Sequence, residues 1–195
     1  MAANLNEILI AQLRDSYGRI IYTHKTHEKM ADIYHCADRW LRNLQLFLSV
    51  LVTSGIIATV GTELSGNDTM WLKITSAIVS FLLVLLTTYM RNSNFAQLIQ
   101  KHKDVAADIW LVRERYFCLL SDYEGGLATE QEVLKRREKQ NDELSVIYKN
   151  APRTTNMAYK AARKALKLNE EMTFSDEEID AFLPKEMRKG IINDR

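Results

Sequence analysis

The sequence predicts an all-α protein: a two-span transmembrane helical hairpin on a cytoplasmic helical bundle formed by the N- and C-terminal helices. Three observations lead there. Two long runs carry no charge, cations flank both of them, and the rest of the chain repeats its apolar residues at helical spacing. With 7 Gly and 2 Pro in 195 residues, little in the chain interrupts long helices.

The first run, NLQLFLSVLVTSGIIATVGT, covers residues 43–62. As a helix it spans about 30 Å, the thickness of a bilayer's hydrocarbon core. The second, ITSAIVSFLLVLLTTYM, covers residues 74–90. It is short, but Lys73 can snorkel to the interface and residues 69–72 can extend the span. Residues 63–73 form an external loop, with Gly61 just ahead of it and Gly66, Asn67 and Asp68 within it as turn formers. Lys25, Lys29, Arg39 and Arg42 precede the first run, and Arg91, Lys101 and Lys103 follow the second. The loop offers only Lys73, so the positive-inside rule puts both termini in the cytoplasm. Trp40 and Tyr89 then anchor the inner interface and Trp71 the outer. The competing reading is a helix pair buried inside a soluble bundle; a soluble core helix normally keeps a charged stripe, and neither run has one.

Residues 1–42 form the N-terminal helix, with apolar positions at Leu5, Ile8, Leu9, Leu13, Tyr17, Ile20 and Ile21. Gly18 marks where a bend would fall, and the helix runs on through Trp40 into the membrane. An acid early in MAANLNEILIAQLRDS argues against a signal peptide. In residues 91–195 a stripe from Phe95 through Val105, Ile109, Val112 and Tyr116 to Leu120 stops at Gly125-Gly126. Thr129 and Glu132 form a capping-box pattern for a helix ending before Ala151-Pro152. Thr155 to Leu168 reads as a further helix, and Ser175 with Glu178 caps a last short one that Pro184 stops.

Composition excludes several function classes. A net charge of +1 gives no basic field for nucleic acid. Cys36 and Cys118 are too far apart in sequence for a C-x-x-C motif and fit reduced thiols in the cytosol. The segment YTHKTHEKMADIYH holds three of the four histidines. His24 and His35 share a helix face but lie about 16 Å apart along it. His24 and His27 are close enough for one metal ion, but Lys25 and Lys29 oppose a cation there. The segment reads as a polar helix face partly packed against residues 100–103, and no metal is expected. There is no Gly-rich phosphate loop, no G-x-S-x-G and no nucleophile with a partnered base, so neither an enzyme nor a cofactor is expected. The acidic tail lacks calcium-loop spacing and reads as a solvated, capped helix.

SYGRIIYTHKTHEKMADIYH ahead of a two-span hairpin, then QKHKDVAADIWLVRERYFCLLSD, NAPRTTNMAYKAARKAL and EMTFSDEEIDAFLP, resemble the SLATT domains over almost the whole chain. The resemblance implies a two-span effector of bacterial conflict systems, found beside nucleotide-second-messenger synthases, SLOG sensor domains or reverse transcriptases. It implies perforation of the inner membrane after phage infection. With no fused sensor domain in this sequence, the signal is expected to bind the bundle itself or to arrive through a neighbouring sensor protein.

A two-span chain cannot enclose a pore alone, so a homo-oligomer in membrane lipid is expected. Ser76, Ser80 and Thr87 fall within about 40° of one another on an ideal helix, and Ser49 and Thr53 align similarly. These hydroxyls either line a water path or bond back to their own helix carbonyls. Ser54, Ala58 and Thr62, with Gly55 and Gly61 nearby, suit close helix packing. If the signal is a cyclic nucleotide, His24, Lys25, His27, Lys29, Arg113 and Arg115 are the nearest cationic candidates. Salt bridges to Glu28, Asp32, Asp108 and Glu114 account for those cations equally well. A non-conducting membrane scaffold and a soluble helical adaptor remain as other readings.

Overall fold

A computed structural model describes residues 2–64 and 70–189, with side chains from residue 6 onward. The described residues contain six α-helices, one short 3-10 helix and no strand. They are α1 (Ala2–Leu64), α2 (Met70–Ser93), α3 (Phe95–Glu124), α4 (Glu130–Asn150), α5 (Asn156–Lys167) and α6 (Asp176–Phe182). The helical reading holds, and so do both capping boxes. Thr129 and Glu132 cap α4 reciprocally, and Ser175 and Glu178 cap α6. α3 ends where the glycines put it. Gly126 takes φ 71°, and Leu127 N–H returns to Asp122 O at 2.8 Å.

α1 runs for 63 residues and passes both Gly18 and the expected turn former Gly61 without interruption. Both helices of the hairpin intrude on the expected loop of residues 63–73. α1 reaches Leu64 and α2 starts at Met70, because residues 70–73 are good helix formers. The turn formers Gly66, Asn67 and Asp68, and Thr69, lie outside the described residues.

One register governs α1. Leu13, Tyr17, Ile20, His24, His27, Ala31, Tyr34, Asp38, Leu41, Gln45, Leu48, Val52, Gly55, Thr59 and Thr62 alternate steps of four and three, and every one is buried or half-buried. That is the seam of an antiparallel coiled coil. On the returning chain Leu72, Ser76, Val79, Leu83, Leu86, Met90 and Ser93 of α2 repeat the pattern. On α3 it resumes as Leu98, His102, Val105, Ile109, Val112, Tyr116 and Leu119. Between the two runs the step from Ser93 to Leu98 is one residue longer than the pattern. The helix breaks there at Asn94, which takes the left-handed conformation, φ 45° and ψ 36°.

At the polar end, Leu9, Leu13 and Ile20 of α1 pack on Val105, Ile109, Val112, Tyr116 and Leu119 of α3, closed by Val133 and Leu144 of α4. Tyr116 donates its hydroxyl proton to Asn141 at 2.7 Å, so its buried oxygen is satisfied. α5 lays Ala158, Ala162 and Ala165 against α1; these small side chains let the two helices approach closely.

The two charge-free runs are not a core. No residue of α2 is buried, and Phe47, Ile57, Phe81 and Val84 are each at least 61 % exposed. α1 and α2 are both long and apolar enough to cross a membrane, and none of either apolar window is buried inside the chain. This apolar exterior is the opposite of what the soluble-adaptor reading needs. Trp40, Trp71 and Tyr89 are exposed at the ends of the runs.

The seam fixes which residues join the two spans. A Cβ added at Gly55 would lie 2.5 Å from Ser76 Oγ, and Gln45 Nε2 donates to Thr87 Oγ1 at 3.2 Å. Ser54 and Ala58 lie off the seam and are exposed. Gly55→Leu should therefore lower hairpin stability by about 1–3 kcal/mol through overpacking. Ala58→Leu, three residues along, should leave the melting temperature of the detergent-solubilised protein unchanged. Equal effects of the two substitutions would contradict the seam.

Candidate functional site at the base of the hairpin

The histidines are placed by the register of α1. His24 and His27 continue the line of Leu13, Tyr17 and Ile20, so they enter the α1–α3 interface. The expected contact with residues 100–103 is present, but the face is interior where the sequence reading made it partly packed. His24, His27 and His102 are 4 %, 3 % and 0 % exposed. His27 Nδ1 and His102 Nδ1 share one hydrogen bond at 2.9 Å, with ring centroids 5.0 Å apart. Whichever ring accepts must be neutral. Tyr34 packs 5.7 Å from His102, and His24 packs 5.5 Å from Trp110. His24 Nδ1 and His102 Nε2 are buried with no partner among the described residues.

Burial disfavours the imidazolium at all three. It lowers the pKa of His27 to about 4, with help from His102 and His24. It lowers that of His102, and that of His24 against the opposing pull of Glu28. Among the described residues no three His, Cys, Asp or Glu side chains come together to hold a metal ion.

Lys25 and Lys29 leave the seam on its flank and converge on Glu171, which the sequence reading assigned to a solvated tail. Lys25 Nζ lies 2.8 Å from Glu171 and 2.8 Å from Glu28. Lys29 Nζ spans both Glu171 oxygens at 3.2 and 3.1 Å, and sits 4.0 Å from Asp32. Burial works against the charge on Lys25, yet hydrogen bonds to Glu171 and Glu28 raise its pKa. The hydrogen bonds from Lys25 and Lys29 hold the Glu171 carboxyl down to about 2.

Arg113 lies beside this group. Its guanidinium stacks 3.5 Å over the Trp110 ring, bonds Glu114, and reaches Met172 Sδ at 3.7 Å. Arg113, Glu171 and Met172 line a cleft of about 310 Å³ with Tyr17 and Tyr22. Of the six cationic candidates, the fold brings together Lys25, Lys29, Arg113 and, behind Trp110, His24. His27 turns inward. Arg115 is elsewhere, paired with Glu143 in a groove of about 240 Å³ with Arg136 and Lys139. The expected local pairs to Glu28, Asp32 and Glu114 are present.

In the spans, Ser49, Thr53 and Ser80 donate back to their own helix, to Gln45, Ser49 and Ser76 carbonyls at 2.8, 2.9 and 2.8 Å. Ser76 is half-buried on the seam and Ser49 and Ser80 are half-buried beside it; Thr53 and Thr87 are exposed. Thr62 also sits on the seam, with Gly61 beside it on the exposed side.

The buried histidines set an acid sensitivity. Above pH 6.5 they are neutral whether folded or not. Below it the unfolded chain binds protons that the folded chain refuses, so stability falls from pH 6.5 down to about 4. Each such histidine contributes at most ~1.4 kcal/mol per pH unit. Glu171, depressed to about 2, keeps its contribution above pH 4.5 and loses it only below. The melting temperature should therefore drop between about pH 6.5 and 4.5, and His27→Gln with His102→Gln should flatten that drop. A pH-independent wild type over this window would contradict the buried-histidine geometry.

The comparisons come down on the same side as the spans and the histidine–lysine segment. No curated protein and no solved structure matches the chain significantly. One family model does, over residues 9–178, from the first core leucine to the capping residue of α6. The chain belongs to the SMODS and SLOG-associating 2TM effector domain family, as a member of its family 4.

Proposed function

We propose that this chain is the membrane effector of a bacterial anti-phage conflict system. It lies in the inner membrane with both termini in the cytoplasm, and copies of it assemble in the lipid. On a nucleotide or partner signal the assembly opens a path that depolarises the cell. The observation that carries this reading is the single helix α1, whose one register runs from Leu13 in the bundle to Thr62 at the far end of the span. A helix with no break passes a displacement at its cytoplasmic end straight into the membrane. A bundle meant only to anchor the chain would not need that continuity.

The exposed faces support assembly. Ser54 and Ala58 are small and point away from the hairpin seam, which suits close packing against a neighbouring copy. Thr53 and Thr87 are the hydroxyls of the set that are exposed, so they are the first candidates to face a shared axis, with Ser49, Ser76 and Ser80 behind them. No catalytic step is proposed; the chemistry is ion movement. The signal is a cyclic nucleotide second messenger or a neighbouring sensor protein, with no direct nucleic-acid partner.

A non-conducting scaffold is the second reading. It is favoured by the back-bonding of Ser49, Thr53 and Ser80, which occupies the hydroxyl protons a water path would use. The two are separated by membrane potential in cells carrying the protein, its genomic neighbours and a phage challenge. Signal-dependent depolarisation is expected. Thr53→Val with Thr87→Val, which keeps shape and removes both hydroxyls, should cut ion flux by roughly tenfold or more. Ala58→Leu should abolish assembly in crosslinking without unfolding the hairpin. A protective system with an unchanged potential would leave the scaffold.

A further inference from the structure

The segment between α5 and α6 is held in an unusual way. Glu170 and Met172 take φ 50° and 79°, a conformation that L side chains rarely adopt. Neither is glycine, asparagine or aspartate. Glu171 N–H returns to Ala165 O and Thr173 N–H to Glu170 O, both at 3.0 Å, closing a tight loop. That loop delivers one carboxylate to two lysines far away in sequence. Lys25 is 8 % exposed and is reached at 2.8 Å; Lys29 is reached at 3.1 Å. Backbone strain of this kind persists where surrounding contacts impose it, and here the ion pairs with α1 impose it.

Around Glu171 the protein resembles an occupied anion site. Two ammonium groups meet on one pair of oxygens. Arg113 is buried beside them, and its contact to Met172 is to a thioether, a weak acceptor that leaves donor capacity spare. Behind Glu171 lies the cleft of about 310 Å³, walled by Tyr17, Tyr22 and Leu166, at the lower end of the size range of small-ligand sites.

We propose that Lys25, Lys29 and Arg113 form a binding site for a small soluble phosphorylated molecule, and that Glu171 is its built-in occupant in the resting chain. A phosphate brings nearly twice the charge of the carboxylate and more acceptor oxygens to the same donors. Its organic part has the tyrosine-walled cleft to enter. Binding expels Glu171 and frees residues 168–175 from α1. A lipid headgroup is out of reach: Lys29 lies fourteen residues before the first span, about 21 Å along the helix. That is more than two Debye lengths at physiological salt. The site stands on its own geometry; its role as the trigger rests on the gated-effector reading above.

The test uses the full chain in detergent with inorganic pyrophosphate as the probe. In the wild type, millimolar pyrophosphate should raise hydrogen exchange in residues 168–175. Glu171→Gln, which vacates the site, should bind pyrophosphate roughly tenfold or more tightly than wild type. Lys25→Gln with Lys29→Gln should lose that binding. Unchanged exchange in the wild type overturns the proposal whether or not any variant folds, and so does binding that survives loss of both lysines. Binding with the exchange response but no effect on ion flux in liposomes keeps the site and counts against gating.

Discussion

The structure depends on one helix that keeps a single interior line through two solvents. From Leu13 to Ala31 the line faces a bundle whose outside is charged; from Leu41 to Thr62 it faces α2 while the outside of both helices is apolar. The register is the same and the chemistry inverts. In the bundle, burying Leu13, Ile20, Ile109 and Val112 removes apolar surface from water, at about 25 cal/mol for each Å². In a bilayer that term vanishes, since lipid is as apolar as leucine. The seam turns to what still works there: small residues and hydroxyls that let helices approach, as Gly55 does over Ser76.

The returning chain has a freedom that α1 lacks. At Asn94 it leaves the helix for one residue and lengthens one step of the pattern by one residue. A left-handed residue costs about 1–2 kcal/mol, less for asparagine, and it releases α3 from the phase of α2. Gln97 and Leu98 N–H both return to Asn94 O, at 3.0 and 3.1 Å, so the helix restarts at once. The hairpin and the polar pair can thus each turn their seam residues toward α1. Any relative movement of the two halves has its softest point on the α2–α3 side, with α1 as the stiff member.

What was legible in the sequence is local. Missing charge marks a span without reference to any partner, and Thr129 with Glu132, or Ser175 with Glu178, announces a helix start from four residues alone. The histidine face meets residues 100–103 as its sequence suggests, but polarity alone does not give the depth of its burial. Counting fours and threes from Leu13 through Tyr17 and Ile20 reaches His24 and His27 and predicts their burial. The hydroxyl arcs describe each helix taken alone, and only the pairing of the two decides that Ser76 meets Gly55 and Thr87 meets Gln45. Glu171 had no local signal. It lies 142 residues from Lys29, within a run of acids that any solvated tail could carry. Asn94 hides in RNSN, where nothing separates it from a helical asparagine.

The buried histidines are poor choices for stability, and that is informative. Two apolar residues at positions 27 and 102 would avoid desolvating two imidazoles and would leave no nitrogen such as His102 Nε2 unpaired. What the pair contributes instead is alignment. Slide α3 by one heptad along α1 and His27 faces Phe95 or Ile109, neither of which can accept or donate its hydrogen bond. Each ring nitrogen so stranded costs about 1–3 kcal/mol. A seam of leucines and valines tolerates that slip; a seam with one paired polar layer does not. Because α1 carries the same register into the first span, the layer that fixes α1 against α3 bears on the level at which Gly55 meets Ser76. Alignment inside the hairpin is therefore set partly from outside it, by two neutral rings in contact about three turns past the end of the uncharged run on the returning side and about four turns before its start on the other.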